Sequence, residues 1–330
     1  MGRLGLALAP IAVTAAVLAL LPPLWFGDSP YTTSLAAQAL VFASYGVGFN
    51  LVFGSTNQLF LCVGALAGLA GYTTGILAER TSLSIWLAAA VGTAAAAVVG
   101  GLLSWISVRR SLGVIFTGIV TLVFSLAFTN LLLGQRDLTQ GETGLVVPQA
   151  AADLAEDRVG GYYLFAGLLV AFLLVFRALQ LSRAGWAFRA LRDDEVAAEL
   201  SGVDVARYRI YAAAVGSAMI GLTGALYAYS AGFISPATYA FERVDVRVLV
   251  LVAFGGLGTL LGPVLGAGVF AFVDERLTES LQLREVLYGL FVIALFLGFR
   301  RGIVHTAADL VRRLRARRRP AAVKEQPAAK

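Results

Sequence analysis

The stretch Ser84–Ser107, SIWLAAAVGTAAAAVVGGLLSWIS, decides the class of this fold because it contains no charged side chain. It is longer than the ~20 apolar residues that one α-helix needs to cross the hydrocarbon core of a bilayer. The strands of membrane β-barrels alternate apolar and polar residues over segments of about ten positions, whereas this run is continuous. The stretch therefore predicts a transmembrane helix.

Similar runs fill most of the 330-residue chain, which is 58% hydrophobic and 14% charged. A soluble domain carries about 25% charged residues. We therefore predict an all-α integral membrane protein that folds as a polytopic helical bundle. The predicted spans are approximately 5–26, 35–53, 59–78, 84–107, 113–133, 161–179 and 208–232, then a broken region at 246–275 and a last span at 285–299.

The distribution of charge predicts the sidedness of the loops, because cytoplasmic loops of membrane proteins are enriched in Lys and Arg. The Arg109-Arg110 pair and the arginine-containing segment 180–207 are predicted to be cytoplasmic, and the mainly acidic loop 134–160 is predicted to lie outside. The segment from Arg300 to Lys330 contains ten basic residues and two acidic ones, so it is also predicted to be cytoplasmic. Alternation of the spans then places both termini in the cytoplasm.

This pattern divides the chain into two regions. Residues 1–303 form the predicted transmembrane domain, and residues 304–330 form a basic cytoplasmic tail that we expect to be largely disordered beyond about residue 316. Attraction to anionic lipid headgroups is compatible with such a tail. Binding to nucleic acid is not predicted, because no folded domain or interleaved aromatic residues accompany the arginines.

The broken region 246–275 is predicted to enter and leave on the outer side. A single crossing here would place the basic tail outside, and thirty residues are too few for two crossings of ~20 residues each. The sequence contains helix breakers, which we list as Gly255, Gly256, Gly258, Gly262 and Pro263. We therefore predict about eight full crossings plus a broken or re-entrant helix pair. A further break around Gly54–Gln58 would alter this count.

Glycines recur at helical spacing in the third span. Gly64, Gly68, Gly71 and Gly75 share one helical face, where small side chains allow another helix to approach closely. This stripe predicts helix packing, and no nucleotide-binding loop is indicated.

No motif in the sequence supports catalysis. The phosphate-binding motif G-x-x-x-x-G-K-[ST] is missing, and the only lysines are Lys324 and Lys330. A lone Cys62 and a lone His305 predict neither a disulfide nor a metal site. We therefore expect a protein that is not an enzyme and binds no cofactor or metal itself.

The polar residues of the predicted spans are mostly uncharged. Asp245, Arg247, Asp274 and Glu275 border the broken region and are interpreted as interfacial charges. The candidate pathway residues are Asn50, Asn57, Gln58, Ser125, Thr129 and Asn130, with Gln38 and Tyr45 as further polar positions. They suit a wetted pathway for a zwitterionic or polar solute, and helix–helix hydrogen bonding explains them equally well.

The cytoplasmic segment 189–202 is predicted to contain a helix of about two turns. Asp194 and Glu195 complement the dipole at its N-terminus, and Gly202 suits the position after its C-terminus. Ala197 and Ala198 would allow its surface to enter a groove on a partner. From the residues alone, an inert linker helix is an equal alternative to a docking helix.

Several segments resemble the permease subunits of branched-chain amino-acid ABC importers, in particular the LivM type. The resemblance extends over roughly residues 185–303. It rests on Arg189–Val205, Tyr208-Arg209, Gly221–Tyr227, Gly232–Pro236 and Gly255–Pro263. Phe60–Gly64 departs from the family pattern, and Asn57 stands where glycine is usual.

The resemblance implies that segment 189–202 is a coupling helix, with Asp194, Glu195, Ala197, Ala198 and Gly202 at the matched positions. It implies two ABC ATPase subunits that use ATP, a second permease that is homologous or identical, and an extracytoplasmic solute-binding protein. It also implies a location in the bacterial plasma membrane. A stand-alone secondary carrier or channel, and a membrane-embedded enzyme or scaffold, are the alternatives.

Overall fold

The computed structural model describes residues 3–21, 30–81, 83–148 and 158–277, together with residues 289, 290, 293, 303, 304 and 306. Most of the basic tail and most of the predicted last span lie outside the described residues. Within the described residues the architecture is helical, as predicted. The first helices are α1 (Arg3–Leu21), α2 (Pro30–Thr56), α3 (Val63–Arg80), α4 (Ile85–Arg109), α5 (Val114–Gly134) and the short α6 (Arg136–Thr139). The later helices are α7 (Arg158–Leu181), α8 (Arg183–Asp193), α9 (Glu195–Leu200), α10 (Val205–Ala231), α11 (Phe241–Gly255) and α12 (Gly262–Leu277).

Two short strands, β1 (Leu145–Val146) and β2 (Phe233–Ile234), pair antiparallel outside the helical bundle. We call the end of the bundle that carries them the β-ribbon end, and the opposite end, which carries α8 and α9, the α9 end. Helix α10 begins beside α9 and ends beside β2, so it runs the whole way between the two ends. At about 1.5 Å per residue it is roughly 40 Å long.

Helix α10 is the central helix of the bundle, because small residues allow α2, α3 and α4 to pack closely against it. A Cβ on Gly48 of α2 would lie 2.8 Å from the carbonyl oxygen of Gly216, and a Cβ on Gly221 would lie 2.5 Å from Ala96 of α4. Substitution with larger residues would force these helices apart. This mode of packing is typical of helix association in membranes.

Five of the described helices are long and apolar enough to cross a membrane. Their apolar segments are Tyr31–Thr56, Ile85–Arg109, Val114–Gly134, Val159–Leu181 and Val205–Ala231. Two shorter apolar segments, Leu8–Leu21 and Gly262–Asp274, accompany them. The structure therefore supports a polytopic membrane protein, and the predicted number of about eight crossings stays a prediction.

The third predicted span begins later than the sequence suggested. We predicted a helix from residue 59, but residues 57–62 are non-helical and α3 starts at Val63. The chain leaves helical geometry at Asn57, whose φ of +58° lies in the left-handed region that few non-glycine residues adopt. Helices α2 and α3 are therefore separated by a non-helical segment, residues 57–62.

Helices α11 and α12 form a hairpin that is open toward the β-ribbon end. Helix α11 follows β2 and the 3-10 turn Pro236–Tyr239, and the hairpin turns between Gly255 and Gly262. Helix α12 then returns along α11, where Phe254 and Phe270 pack edge to face. Helix α11 is roughly 23 Å long, which is shorter than the ~30 Å hydrocarbon core.

Candidate functional site

The carboxylate of Asp245 on α11 caps the N-terminus of α3 inside the bundle. It accepts hydrogen bonds from the backbone N–H groups of Val63 and Gly64 and from the hydroxyl of Ser125 on α5. The residue is 1% exposed, so our interpretation of Asp245 as an interfacial charge was wrong. The physical reason is the break before α3, which leaves free N–H donors that stabilise a buried anion.

The non-helical segment between α2 and α3 receives side-chain hydrogen bonds from α4 and α5. Ser104 of α4 donates to the side-chain oxygen of buried Gln58. The hydroxyl of Thr121 on α5 accepts from the backbone N–H of Leu61, 2.9 Å away. Backbone polar groups that are not in a helix need such partners at membrane depth. The segment is therefore held by side chains from α4 and α5.

The turn between α11 and α12 is held by α2. The Asn50 side-chain nitrogen donates to the carbonyl of Thr259 at 2.8 Å, and its oxygen accepts from the N–H of Gly258 at 2.7 Å. Gly256 and Gly258 adopt φ values of +122° and +73°, which glycine adopts without steric cost. Asn50 therefore holds this turn in place through two hydrogen bonds, whereas we had named it as a candidate pathway residue.

The glycine stripe of α3 packs on the segment that enters α11. A Cβ on Gly64 would meet the carbonyl oxygen of Tyr239, and a Cβ on Gly71 would lie 2.5 Å from the Tyr239 hydroxyl. Gly68 lies against the same tyrosine, whereas Gly75 lies against Leu145 of the β-ribbon. The stripe therefore allows α3 to approach Tyr239 closely.

A cavity of about 860 Å³ lies between α2, α10 and the start of α11. Its polar lining comprises Gln38, Tyr45, Tyr227, Thr238, Tyr239, Glu242, Arg243, Arg247 and Asp274. Arg247 and Asp274 form an ion pair across the hairpin. The cavity therefore combines aromatic hydroxyl groups with charges of both signs, which suits a zwitterionic solute.

A smaller cavity of about 300 Å³ lies toward the α9 end of α2 and α10. Asn57 and Gln58 line it together with Glu195 and Arg209. At a level of the bundle between the two cavities, the backbones of α2 and α10 are in contact at Gly48 and Gly216. The smaller cavity is also lined by the α4–α5 connection, and the two cavities lie toward opposite ends of α10.

The other predicted pathway residues do not line either of these cavities. Ser125 is buried against Asp245, Thr129 bonds to the Ser125 carbonyl on its own helix, and exposed Asn130 bonds to the Leu126 carbonyl. Sequence reasoning missed Tyr227, Thr238, Glu242 and Arg243 as cavity residues. The signal available in the sequence was that these polar residues cluster just before and after β2.

Helix α9 is a short exposed helix with a well-formed cap. Asp194 accepts hydrogen bonds from the N–H groups of Val196 and Ala197 at 2.9 and 3.0 Å. Gly202 follows the helix with a φ of +84°. Ala198 packs inward at 3% exposure, and Ala197 is exposed. Residues 189–202 therefore comprise the end of α8, a break at Asp194 and the six-residue α9.

Two arginines connect this end of the bundle to the breaks in α2–α3 and α11–α12. Arg209 on α10 binds both carboxylate oxygens of Glu195, and its Nε donates to the carbonyl of Thr56 at 3.4 Å. The guanidinium group of Arg192 on α8 lies against Gly258 in the hairpin turn. Movement of α9 would therefore act on the end of α2 through Arg209, and movement of α8 would act on the α11–α12 turn through Arg192.

Comparison with known proteins decides the family. A family profile described as "Branched-chain amino acid transport system / permease component" matches residues 31–299, which is most of the chain. The chain belongs to this permease family. The permease is 27% identical over 299 residues to the high-affinity branched-chain amino acid transport system permease protein LivM of Escherichia coli (strain K12), covering 83% of this chain and 70% of the relative.

Two other relatives of the permease are an autoinducer 2 import permease and a second branched-chain amino acid permease. The autoinducer 2 import system permease protein LsrC of Yersinia enterocolitica is 27% identical, covering 83% of this chain and 75% of the relative. The LivH permease of Escherichia coli (strain K12) is 22% identical, covering 72% of this chain and 82% of the relative. No solved structure matches the chain significantly. Membership of the family shows a multi-pass transport subunit, and no metal-binding cluster occurs among the described residues.

Proposed function

We propose that this chain is the membrane-spanning subunit of an ATP-driven importer that moves branched-chain or other amino acids by alternating access. The observation that carries the proposal is the connection from Glu195 on α9 through Arg209 to Thr56 at the end of α2. A displacement of α9 would be transmitted to the α2–α3 break through this connection. ATP binding and hydrolysis would take place on partner subunits.

The exposed surface of α9 suits a partner protein. Val196 and Leu200 are 65% and 85% exposed, on a helix too short to be stable without tertiary contacts. Apolar side chains at such exposure fit the groove of an ATPase subunit. We propose one ATPase for each of two permeases, the second permease being a homologous or identical chain, and a solute-binding protein that delivers cargo at the β-ribbon end.

The two cavities support alternating access. In the proposed cycle the larger cavity receives the solute at the β-ribbon end, and the contact between Gly48 and Gly216 separates it from the smaller cavity. Asn57 and Gln58 would line the exit, as their predicted pathway role requires. Rearrangement of the α2–α3 and α11–α12 breaks would open one end while the other closes.

We further propose that the α9 end faces the cytoplasm of a bacterial cell. The Arg109-Arg110 pair and the arginines of α8 lie at this end, in agreement with the enrichment of basic residues in cytoplasmic loops. This orientation places both termini inside. It requires about eight crossings, with the α11–α12 hairpin entering and leaving from the outside.

The decisive experiment is uptake in proteoliposomes that contain the full assembly of permeases, ATPases and binding protein. We expect uptake of radiolabelled leucine that requires ATP and is inhibited by unlabelled isoleucine and valine. An assembly with a catalytically inactive ATPase is the matched control. Uptake of autoinducer 2 or urea with no uptake of amino acids would show that the proposed amino-acid cargo is wrong. Solute flux that this chain alone supports under an ion gradient would contradict the proposal of an ATP-driven importer and favour a secondary carrier.

A further inference from the structure

A second large groove lies at the α9 end, outside the proposed pathway and beside the coupling elements. It has a volume of about 1090 Å³ and runs between the end of α7, α8 and the start of α10. One wall consists of apolar groups of α7, including Val175 and Leu179. The opposite wall carries Tyr208 and Tyr211 of α10. Gly202, one of the predicted coupling residues, also lines the groove, whereas no residue of the two proposed pathway cavities does.

The mouth of the groove is basic. Arg183 at the start of α8 and Arg207 near the start of α10 both line it, and both side chains are exposed. The acidic residue in the lining is Asp204, which accepts a hydrogen bond from the backbone N–H of Arg207 as the cap of α10. The groove therefore presents two guanidinium groups beside a carboxylate that is already engaged.

The groove also lies where a membrane surface is expected. Helix α7 is an apolar segment long enough to span a membrane, and it ends at Leu181, directly before Arg183. Trp186 follows on α8 at 70% exposure, with the guanidinium of Arg189 4.4 Å from its ring centre. Exposed tryptophan flanked by arginine at the end of an apolar helix is typical of the headgroup region.

Tertiary contacts hold the groove in shape. Phe188 and Tyr208 pack edge to face with ring centres 6.1 Å apart, which fixes α8 against α10. Ala187 forms part of the floor at 7% exposure. The groove is therefore a built feature of the fold, with an apolar interior and a basic mouth.

We propose that this groove binds one anionic phospholipid, with Arg183 and Arg207 on its phosphate group and an acyl chain along Val175, Leu179 and Tyr211. Basic pockets between helices at the cytoplasmic surface suit lipid phosphates, and guanidinium groups match their geometry. The chemistry is that of a phosphate ester joined to an apolar chain. The lipid fills the gap between α7 and α10 and holds α8 in the plane of the membrane.

The test uses the full-length chain in nanodiscs and Trp186 as the reporter. The chain has four tryptophans, so Trp25, Trp86 and Trp105 are first replaced by phenylalanine. Bromine on the acyl chain quenches tryptophan fluorescence at short range. Nanodiscs of phosphatidylcholine are prepared with a small mole fraction of either brominated phosphatidylglycerol or brominated phosphatidylcholine. We expect brominated phosphatidylglycerol to quench Trp186 at a mole fraction on the order of tenfold lower than the one at which brominated phosphatidylcholine does so.

The variant Arg183→Gln/Arg207→Gln should abolish this preference. The variant Arg109→Gln/Arg110→Gln makes the same change of net charge at the same end, away from the groove, and should keep it. Equal quenching by the two lipids in the unmodified chain would overturn the proposal. An equal loss of preference in both double variants would also overturn it, because it would show general surface attraction. Loss of ATPase co-purification in the groove variant with lipid preference retained would identify an ATPase contact instead.

Discussion

Glu195 on α9 and Arg209 on α10 form a two-point ion pair, with Nη1–Oε1 and Nη2–Oε2 distances of 2.6 and 2.8 Å. The Arg209 side chain is 13% exposed and that of Glu195 is 46% exposed. The same guanidinium group also reaches the carbonyl of Thr56 at the end of α2. A half-exposed pair adds little to stability, about 0–1 kcal/mol. The main effect of the pair is therefore to connect α9 to α10 and, through Arg209, to the end of α2.

Reversal of one charge should uncouple transport. In Glu195→Arg the new arginine faces Arg209, so we expect ATP-dependent uptake to fall by about tenfold, within the range typical of coupling between sites. The swap Glu195→Arg/Arg209→Glu re-forms a pair of opposite charge and should recover part of the uptake. The measurement is uptake by the reconstituted assembly, with ATPase co-purification as a control. Unchanged uptake in Glu195→Arg would refute the coupling role.

Loss of the Asp245 carboxylate should destabilise the fold. In Asp245→Ala the N–H groups of Val63 and Gly64 lose their buried acceptor, at a cost of roughly 1–3 kcal/mol. Asp245→Asn retains one acceptor oxygen and should lose less. The single Cys62 is fully buried, so the temperature at which it reacts with a fluorogenic thiol reagent reports unfolding. Glu242→Gln, an exposed change on the same helix, should leave this temperature unchanged.

The close contact between α3 and Tyr239 predicts different effects of two Gly→Ala changes. A Cβ at Gly64 meets a backbone carbonyl that cannot rotate away, so Gly64→Ala should cost about 1–3 kcal/mol through overpacking. Gly167 on α7 has no atom within 4 Å of an added Cβ. Gly167→Ala should therefore be neutral or stabilising by about 0.5–1 kcal/mol. The Cys62 unfolding assay measures both, and equal unfolding temperatures would contradict the packing described for α3.

The larger cavity should be reachable by water from the outer side. Thr238→Cys, on its wall, should react with a membrane-impermeant maleimide added outside intact cells. Ala89→Cys, at a position 3% exposed inside the bundle, should not react. Glu199→Cys, on the exposed surface of α9, should react only after the reagent is given access to the cytoplasmic side. Reaction of Glu199→Cys from outside would reverse the proposed orientation.

The periodic and local features of the fold were predictable from the sequence. Charge-free runs such as Ser84–Ser107 indicated membrane helices, because a bilayer admits few other backbone arrangements. The helix break between Gly255 and Gly262 follows from residues that lower helix propensity wherever they occur. Asp194 and Gly202 indicated the two ends of α9, because helix caps are formed by residues that are neighbours in the sequence.

The role of each polar side chain was not predictable, because it depends on partners far away in the chain. Asp245 was interpreted as interfacial, yet its partners are Val63 and Ser125, more than a hundred positions earlier. Asn50 was assigned to the pathway, yet it clamps Gly258, which lies 208 positions later. Sequence spacing contains no information on which distant backbone group lacks a hydrogen bond.

The sequence by itself determined that this chain is a bundle of membrane helices with breaks, and it contains no G-x-x-x-x-G-K-[ST] motif. Hydrophobic run length, glycine spacing and the distribution of arginine are sufficient for that. Only the tertiary structure decided that the end of α2 at Thr56 and the turn at Gly258 both contact the helices beside α9. Those connections form because broken helices expose backbone groups that cannot remain unpaired away from water, and the packing of α2, α3, α10 and α11 selects which side chains supply the partners.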